Sequence, residues 1–382
     1  MPLERTLFND EHEAFRATCR EFVSRHVTPH NARWAEAGQV DRELWHAAGA
    51  QGLLGTAIEE QYGGGGNPDF RFNVVLDEEL AKAHAAGPGF PVHNDLIIPY
   101  LERLATEEQK QRWFPGMCSG DIIAAIAMTE PGTGSDLQSI RTSAARDGDF
   151  YVLNGQKTFI SNGIMADIVI VAARTTSENG DEGLSLIVVE RGTDGFERGR
   201  NLDKIGLKAQ DTAELFFNDA RVPVANLLGK EGEGFLYLVQ NLVRERMTIA
   251  VVAVAAAETA LDLTMKYCKE RTAFGRPIGS FQHNRFLIAE LATEVQIART
   301  FVDRCIVDHV EDKLDIPTAA MAKWWTTELQ NRVVDRCLQL HGGYGFMSEY
   351  PISQAFLDSR VQTIYGGTTE IMKEIIGRSL GF

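Results

Sequence analysis

Ile122-Ile123-Ala124-Ala125-Ile126-Ala127-Met128-Thr129-Glu130-Pro131-Gly132-Thr133-Gly134-Ser135-Asp136 is where the chain changes texture. An apolar strand runs into a turn holding two glycines, a proline and the small hydroxyl residues Thr129, Thr133 and Ser135. Glycine lets backbone approach a ligand closely. Hydroxyls and freed amides offer hydrogen bonds to a planar polar or phosphorylated group. Alone, such a turn is also ordinary loop punctuation, so its neighbours decide its meaning.

Upstream, from Asp10 to about Asp121, the pattern is helical. Asp10 and Glu13 predict a capping box before Phe15, Cys19, Phe22 and Val23, with Pro29 as the stop. The Gly63–Gly66 run and Asn67-Pro68 break the chain before a helix carrying Val74, Val75, Leu76 and Leu80. Thr106 and Gln109 repeat the capping signature. Downstream, from Ile122 to about Leu228, the texture is β. Phe150 to Ile160 predicts a hairpin with Asn154-Gly155 at its turn. Ile168–Ala172, Leu184–Val189 and Glu214–Phe217 predict further short strands in an antiparallel unit. From Gly234 to Gly377 long helices return: Leu242–Arg271, Phe281–His309, and one that opens at Pro317 and ends at Gly342-Gly343. The expected class is α+β: an N-terminal helical domain (1–121), a middle antiparallel β domain (122–229) and a C-terminal four-helix-bundle domain (230–382).

The 382 residues are 44% hydrophobic, enough for a large core, and carry a formal charge of −15. That charge argues against a nucleic-acid or membrane-surface role, which needs a basic stripe. Cys19, Cys118, Cys268, Cys305 and Cys337 are scattered and lack CxxC spacing, as expected of buried thiols in a reducing compartment. Met1-Pro2-Leu3-Glu4-Arg5 shows no signal-peptide or presequence pattern. The apolar run Ile249–Ala257 is short for a bilayer span. A cytoplasmic protein without integral membrane contact is expected. His26, His30 and His46 lack metal-ligand spacing, so no metal is expected.

Four further segments follow the opening one in order: Gln156-Lys157-Thr158-Phe159-Ile160-Ser161-Asn162-Gly163, Arg271-Thr272-Ala273-Phe274-Gly275-Arg276-Pro277-Ile278, Gln339-Leu340-His341-Gly342-Gly343-Tyr344-Gly345 and Ile364-Tyr365-Gly366-Gly367-Thr368-Thr369-Glu370-Ile371. With Met128–Asp136 they make the chain closely resemble the acyl-CoA dehydrogenase family over essentially its whole length. Tyr365-Gly366-Gly367-Thr368, Met321-Ala322-Lys323-Trp324-Trp325 and Arg244-Glu245-Arg246 make it most similar to the long-chain branch. The resemblance implies oxidation of acyl-CoA thioesters to trans-2-enoyl-CoA with FAD. A carboxylate takes the α-proton, the β-hydrogen leaves as hydride to flavin N5, and electrons pass to an electron-transfer flavoprotein. It also implies a homotetramer. Chain length and branching of the substrate stay open, from medium or long to branched.

Site residues follow from the same resemblance. Met128, Thr129, Gly134 and Ser135 match the strand and turn against the isoalloxazine and pyrophosphate. Phe159 and Ser161 match the next strand, with Phe159 where many relatives carry Trp. Thr368 and Glu370 match residues near the flavin and ribityl chain. Arg271, Phe274 and Gln282 match the set that holds the neighbouring subunit's FAD, and Gln339, Gly342 and Gly343 the adenosine end. Arg246, Ser135, Gly366 and Gly367 are the implied substrate contacts. Lys204 and Lys208 are candidates for the pocket mouth, or simply solvated surface.

The base is the sharp question. Many relatives place a Glu directly after the Tyr of the last segment, but here that residue is Gly366, which has no proton acceptor. The long-chain and isovaleryl branches place it on a C-terminal helix, at the position of Glu245. Gly366 retains the N–H that would polarise the thioester carbonyl. Without the resemblance, a Glu flanked by Arg244 and Arg246 reads as a solvated helix residue. Two rivals remain on the same scaffold: a flavin monooxygenase or oxidase, and a non-catalytic acyl-CoA-binding partner.

Overall fold

The structure is a computed structural model and describes residues 3–176, 180 and 182–382. Helices α1 (Asp10–Phe22), α2 (Asn31–Ala37), α3 (Arg42–Ala50), α4 (Phe70–Lys82), α5 (Ile98–Leu104) and α6 (Glu107–Ser119) precede the sheet. The capping box of α1 sits one residue earlier than Asp10 and Glu13 imply. Asn9 accepts from the His12 amide at 3.1 Å, and the His12 ring accepts from the Asn9 amide at 3.3 Å. Asp10 and Glu13 instead place negative charge in the first turn, where free amides favour it. The Thr106–Gln109 box forms as expected before α6. Pro29 does not end α1. A π-type turn over Val23–Val27 intervenes, and Pro29 lies in the short 3-10 turn that leads into α2.

The middle region is an eight-stranded sheet among the described residues: β1 (Ala124–Ala127), β2 (Ser143–Asp147), β3 (Phe150–Ser161), β4 (Ile168–Thr176), β5 (Glu182–Glu190), β6 (Phe196–Asn201), β7 (Thr212–Pro223) and β8 (Leu227–Leu228). Its order is β6-β7-β3-β2-β4-β5-β8, with β1 also on β4. Pairing is antiparallel except where β1 and β2 meet β4 in parallel. Asn154-Gly155 is not a hairpin turn, because β3 runs straight through it. The tight turn lies earlier, at Gly148 (φ 60°), between β2 and β3. Gly155 marks an irregularity in the register with β7, and a Cβ there would stand 2.5 Å from Thr142 Oγ1. The glycine serves close strand approach rather than reversal.

The C-terminal region holds α7 (Gly234–Glu270), a small hairpin of β9 (Thr272–Ala273) and β10 (Arg276–Pro277), α8 (Gln282–Val310), α9 (Ile316–His341), α10 (Pro351–Ser359) and α11 (Thr369–Ser379). Gly342 ends α9 as the sequence predicts, and all five cysteines are free and buried. By length and composition α7 is apolar enough to cross a bilayer, but 61% of that window is buried inside the protein. It is the core helix. Ala250, Ala253, Val254 and Ala257 along it are buried and let α9 pack closely. A helix apolar on all sides needs neighbours on all sides. Glu78 of α4 ties the N-terminal helices to this bundle. It accepts from Arg16 of α1 at 2.8 Å, Arg299 of α8 at 2.9 Å and Arg5 at 3.1 Å.

Candidate active site

One face of α7 lines a cavity of about 400 Å³ between the three regions. Glu245, Thr248, Ile249, Val252 and Ala256 all reach it. Their spacing is that of one helical stripe, about 16 Å long at 1.5 Å per residue. Opposite stand Leu80, Ala81 and His84 from the end of α4, Val92 and Leu96 from the π-type turn before α5, and Met128 and Thr129 after β1.

Glu245 is 3% exposed, so the solvated-residue reading fails. Its Oε1 accepts from the Tyr100 hydroxyl at 3.1 Å. Burial pushes the carboxyl up to about 7, against the opposing pull of the Tyr100 hydrogen bond and the Arg246 charge. An acid with a pKa near the working pH is suited to proton transfer. Arg246 also lines the cavity but is itself 3% exposed, and its Nε has no partner among the described residues. It sits inside the pocket rather than at an open mouth. Lys204 donates to the Gln210 carbonyl at 2.7 Å and Lys208 pairs with Asp203.

The turn after β1 is held from below. Lys157 of β3, fully buried, donates to the Met128 carbonyl at 3.0 Å and to Glu130 Oε1 at 2.9 Å. The Glu130 carboxylate also accepts from the Arg141 amide at 2.7 Å and the Thr142 amide at 2.9 Å. Burial pushes the Lys157 ammonium down to about 8, while Glu130 pulls it back. These bonds fix Thr129, Gly134 and Ser135 against the cavity. Phe159 and Ser161 reach the same cavity from β3. Phe159 has φ 62° and its ring is 68% exposed, because β3 slips register against β7 between Lys157 and Ile160.

On the far side the chain turns at Gly366 (φ 62°) and Gly367 (φ 98°), both lining the cavity. Buried Lys323 of α9 donates to the Gly367 carbonyl at 2.6 Å and pins the turn. The Gly366 amide makes no hydrogen bond among the described residues. A Cβ at Gly366 would lie 2.2 Å from Ile249 Cδ1. Thr368 caps α11, accepting from the Ile371 amide at 3.4 Å. Neither Thr368 nor the exposed Glu370 lines the cavity.

The remaining predicted residues gather elsewhere. Arg271, Phe274, Gln339, Gly342 and Gly343 line a second, open cleft of about 850 Å³. Gln282 lies between two lining residues, Phe281 and His283, but does not itself line it. Phe274, at the tip of the β9–β10 hairpin, is 96% exposed.

Family models for the N-terminal, middle and C-terminal domains of acyl-CoA dehydrogenase match residues 9–121, 125–220 and 232–381. The chain belongs to the acyl-CoA dehydrogenase family. Such an acyl-CoA dehydrogenase is an oxidoreductase. The chain is 50% identical to the mitochondrial long-chain specific acyl-CoA dehydrogenase of Sus scrofa over 378 residues, 98% of this chain and 88% of that protein. The crystal structure of an acyl-CoA dehydrogenase from Geobacillus kaustophilus superposes with a TM-score of 0.96 at 48% identity, covering 99% of this chain and 100% of that one. A glutaryl-CoA dehydrogenase from Mycobacterium smegmatis in complex with FADH2 superposes at 0.91 with 27% identity, over 98% and 95% of the two chains.

Acyl-CoA dehydrogenases are FAD flavoproteins, and the two clefts suit that group. The ring of Phe159 and the hydroxyl residues Thr129, Ser135 and Ser161 supply a stacking face and polar partners for a planar heterocycle. A Cβ at Gly134, Gly342 or Gly343 would meet no atom within 4 Å, so a ligand can approach those backbones. Arg271 brings a fixed positive charge to the second cleft. Tyr100, Lys157 and the pinning role of Lys323 were not legible in the sequence as site features. Lys157 directly follows the polar run Asn154-Gly155-Gln156, which gives no sign of burial, and Tyr100 meets Glu245 across 145 positions.

Proposed function

We propose that this acyl-CoA dehydrogenase carries out FAD-dependent α,β-dehydrogenation of medium- or long-chain or branched acyl-CoA, with Glu245 as the base. The observation that carries the reading is a buried carboxyl on the cavity wall, raised to about 7, facing a turn where residue 366 has no side chain. The Cα–H bond breaks, its proton passes to Glu245, and its electron pair forms the new Cα=Cβ bond as the β-hydrogen departs with its own pair. Bound FAD would supply the acceptor for that hydride at N5, and an electron-transfer flavoprotein would take the electrons on. Gly366 offers its amide to the thioester carbonyl, where enolate charge develops. Ser135 and Gly367 complete that wall, and Arg246 offers its unpartnered Nε–H to the polar CoA side. Met128, Thr129, Gly134, Ser135, Phe159 and Ser161 hold the flavin end. Arg271, Phe274, Gln339, Gly342 and Gly343 serve FAD across a subunit boundary of a homotetramer.

Substrate closure of the cavity would exclude water and raise the carboxyl further. The test is anaerobic bleaching of the flavin absorbance by a panel of straight and branched acyl-CoAs. Bleaching by medium- to long-chain or branched thioesters is expected. A flavin that no acyl-CoA bleaches would sink the reading.

A further inference from the structure

Tyr100 is a buried polar side chain behind the cavity wall that the proposed reaction leaves without a role. It is fully buried on α5, and it does not line the cavity. Its hydroxyl donates to Glu245 Oε1 at 3.1 Å. Glu245 reaches the cavity, and Oε2 makes no hydrogen bond among the described residues. The carboxyl is therefore gripped from behind by one oxygen, with the other left to face a substrate.

The grip has its own support. The side chain of Asn241 lies beside the same tyrosine and favours its ionised form. Its Nδ2 also donates to the Leu96 carbonyl at 3.0 Å, in the π-type turn that forms the opposite cavity wall. Asn241 and Glu245 are one helical turn apart on α7, and Tyr100 of α5 hydrogen-bonds Glu245. An amide dipole turned toward a hydroxyl oxygen makes that hydroxyl a stronger donor to its next partner. Two hydrogen bonds thus stand side by side at one turn of α7, one tying Asn241 to the cavity wall at Leu96 and one tying Tyr100 to the base.

We propose that Tyr100 is a positioning residue for Glu245: it fixes which carboxyl oxygen faces the substrate and keeps the carboxylate form accessible at neutral pH inside an apolar cavity. Two opposing effects set the state of the carboxyl. Burial alone drives a carboxyl toward its neutral form. A hydrogen bond donated to the anion opposes that, and bonds to charged groups are stronger than neutral ones. Without Tyr100 the base would still be in place, but protonated over more of the working range and free to rotate. The other charged groups facing the carboxyl are Arg246 beside it and, beyond Tyr100, Arg103. Neither hydrogen-bonds Glu245 in the structure.

This inference rests on Glu245 being the base, and the experiment separates the two claims. In holoenzyme, kcat/KM for an acyl-CoA that bleaches the flavin is measured against pH for wild type, Tyr100→Phe, Asn241→Leu and Glu245→Gln. The infrared carboxyl band of Glu245, identified by its loss in Glu245→Gln, is titrated alongside without substrate. Tyr100→Phe is expected to move the acid limb and the infrared midpoint up together by about one pH unit. That is about a tenfold loss of kcat/KM on the acid limb, with a smaller loss at the alkaline plateau. Asn241→Leu, which keeps the tyrosine, should give a smaller shift in the same direction and stands in if Tyr100→Phe does not fold. An unmoved limb and midpoint in Tyr100→Phe, or in Asn241→Leu if only that variant folds, with Glu245→Gln inactive, overturns the role of Tyr100 and leaves the base. Full turnover in Glu245→Gln overturns the base, whatever Tyr100→Phe does.

Discussion

Glu78 and Glu245 are both buried glutamates on core helices, and they are held in opposite states. Burial alone would raise Glu78, but Arg299, Arg5 and Arg16 outweigh it and hold the carboxyl at about 2. Burial raises Glu245 to about 7, and only the Tyr100 hydroxyl and the neighbouring Arg246 charge oppose it. From an ordinary 4.5, each displacement is worth on the order of 3 kcal/mol, with opposite sign. The first carboxylate is fully compensated and joins α1, α4 and α8. The second is left under-compensated on a cavity wall, where its discomfort as an anion suits it to the proposed role of base. The same side chain is a staple or a reagent according to how many donors the fold gives it.

The largest effect should come from removing the reagent. Glu245→Gln is expected to cut acyl-CoA turnover by about a thousandfold or more, with flavin still bound, as read by stopped-flow bleaching. Removing the staple should act on stability instead. Glu78→Gln leaves three guanidinium groups short of a partner and should cost about 3–5 kcal/mol in denaturant titration, while the folded fraction still bleaches. Because the Glu78 pKa is depressed, its contribution is present above about 4.5 and disappears as pH falls toward 2. The wild type and Glu78→Gln should therefore converge in acid.

Glu245 should behave in the opposite sense. A raised carboxyl pKa means that the native state binds more protons than the unfolded chain between 4.5 and about 7, so stability falls as pH rises through that window. At pH above 7, Glu245→Gln is expected to be more stable than wild type, by up to about 3 kcal/mol. Equal or lower stability would break the contrast. Activity should follow ionisation: kcat/KM of wild type rises about tenfold per pH unit below 7 and levels off above it.

The smallest effect concerns the turn at Gly366. Gly366→Ala forces a left-handed backbone at about 1–2 kcal/mol and pushes on Ile249 Cδ1, 2.2 Å away. Ile249→Ala should recover the steric part only. A Glu at 366 would meet the same left-handed backbone and require the Ile249 side chain to move.

Much of this molecule is legible in its residues taken in order. The helical, β and helical textures, the Thr106–Gln109 cap and the end of α9 at Gly342 follow from short-range chemistry. Glu245 and Gly366 could be singled out because family motifs are local in sequence. Local reading failed where a glycine or a polar pair had a distant reason. Asn154-Gly155 looks like a hairpin turn but sits mid-strand, because Thr142 packs against Gly155 from another strand's entrance. Asp10 and Glu13 match a capping pattern that Asn9 and His12 satisfy instead.

What the residues alone decided is the order of textures and the kinds of chemistry available: a glutamate without a rival at residue 366, and glycine-rich turns open to a ligand. What only the tertiary structure decided is the state of that glutamate. Its pKa depends on burial by α5 and the cavity walls, on a tyrosine 145 positions away, and on the absence of the arginines that surround Glu78. Electrostatic free energy depends on distance and dielectric in space, and neither is written along the chain.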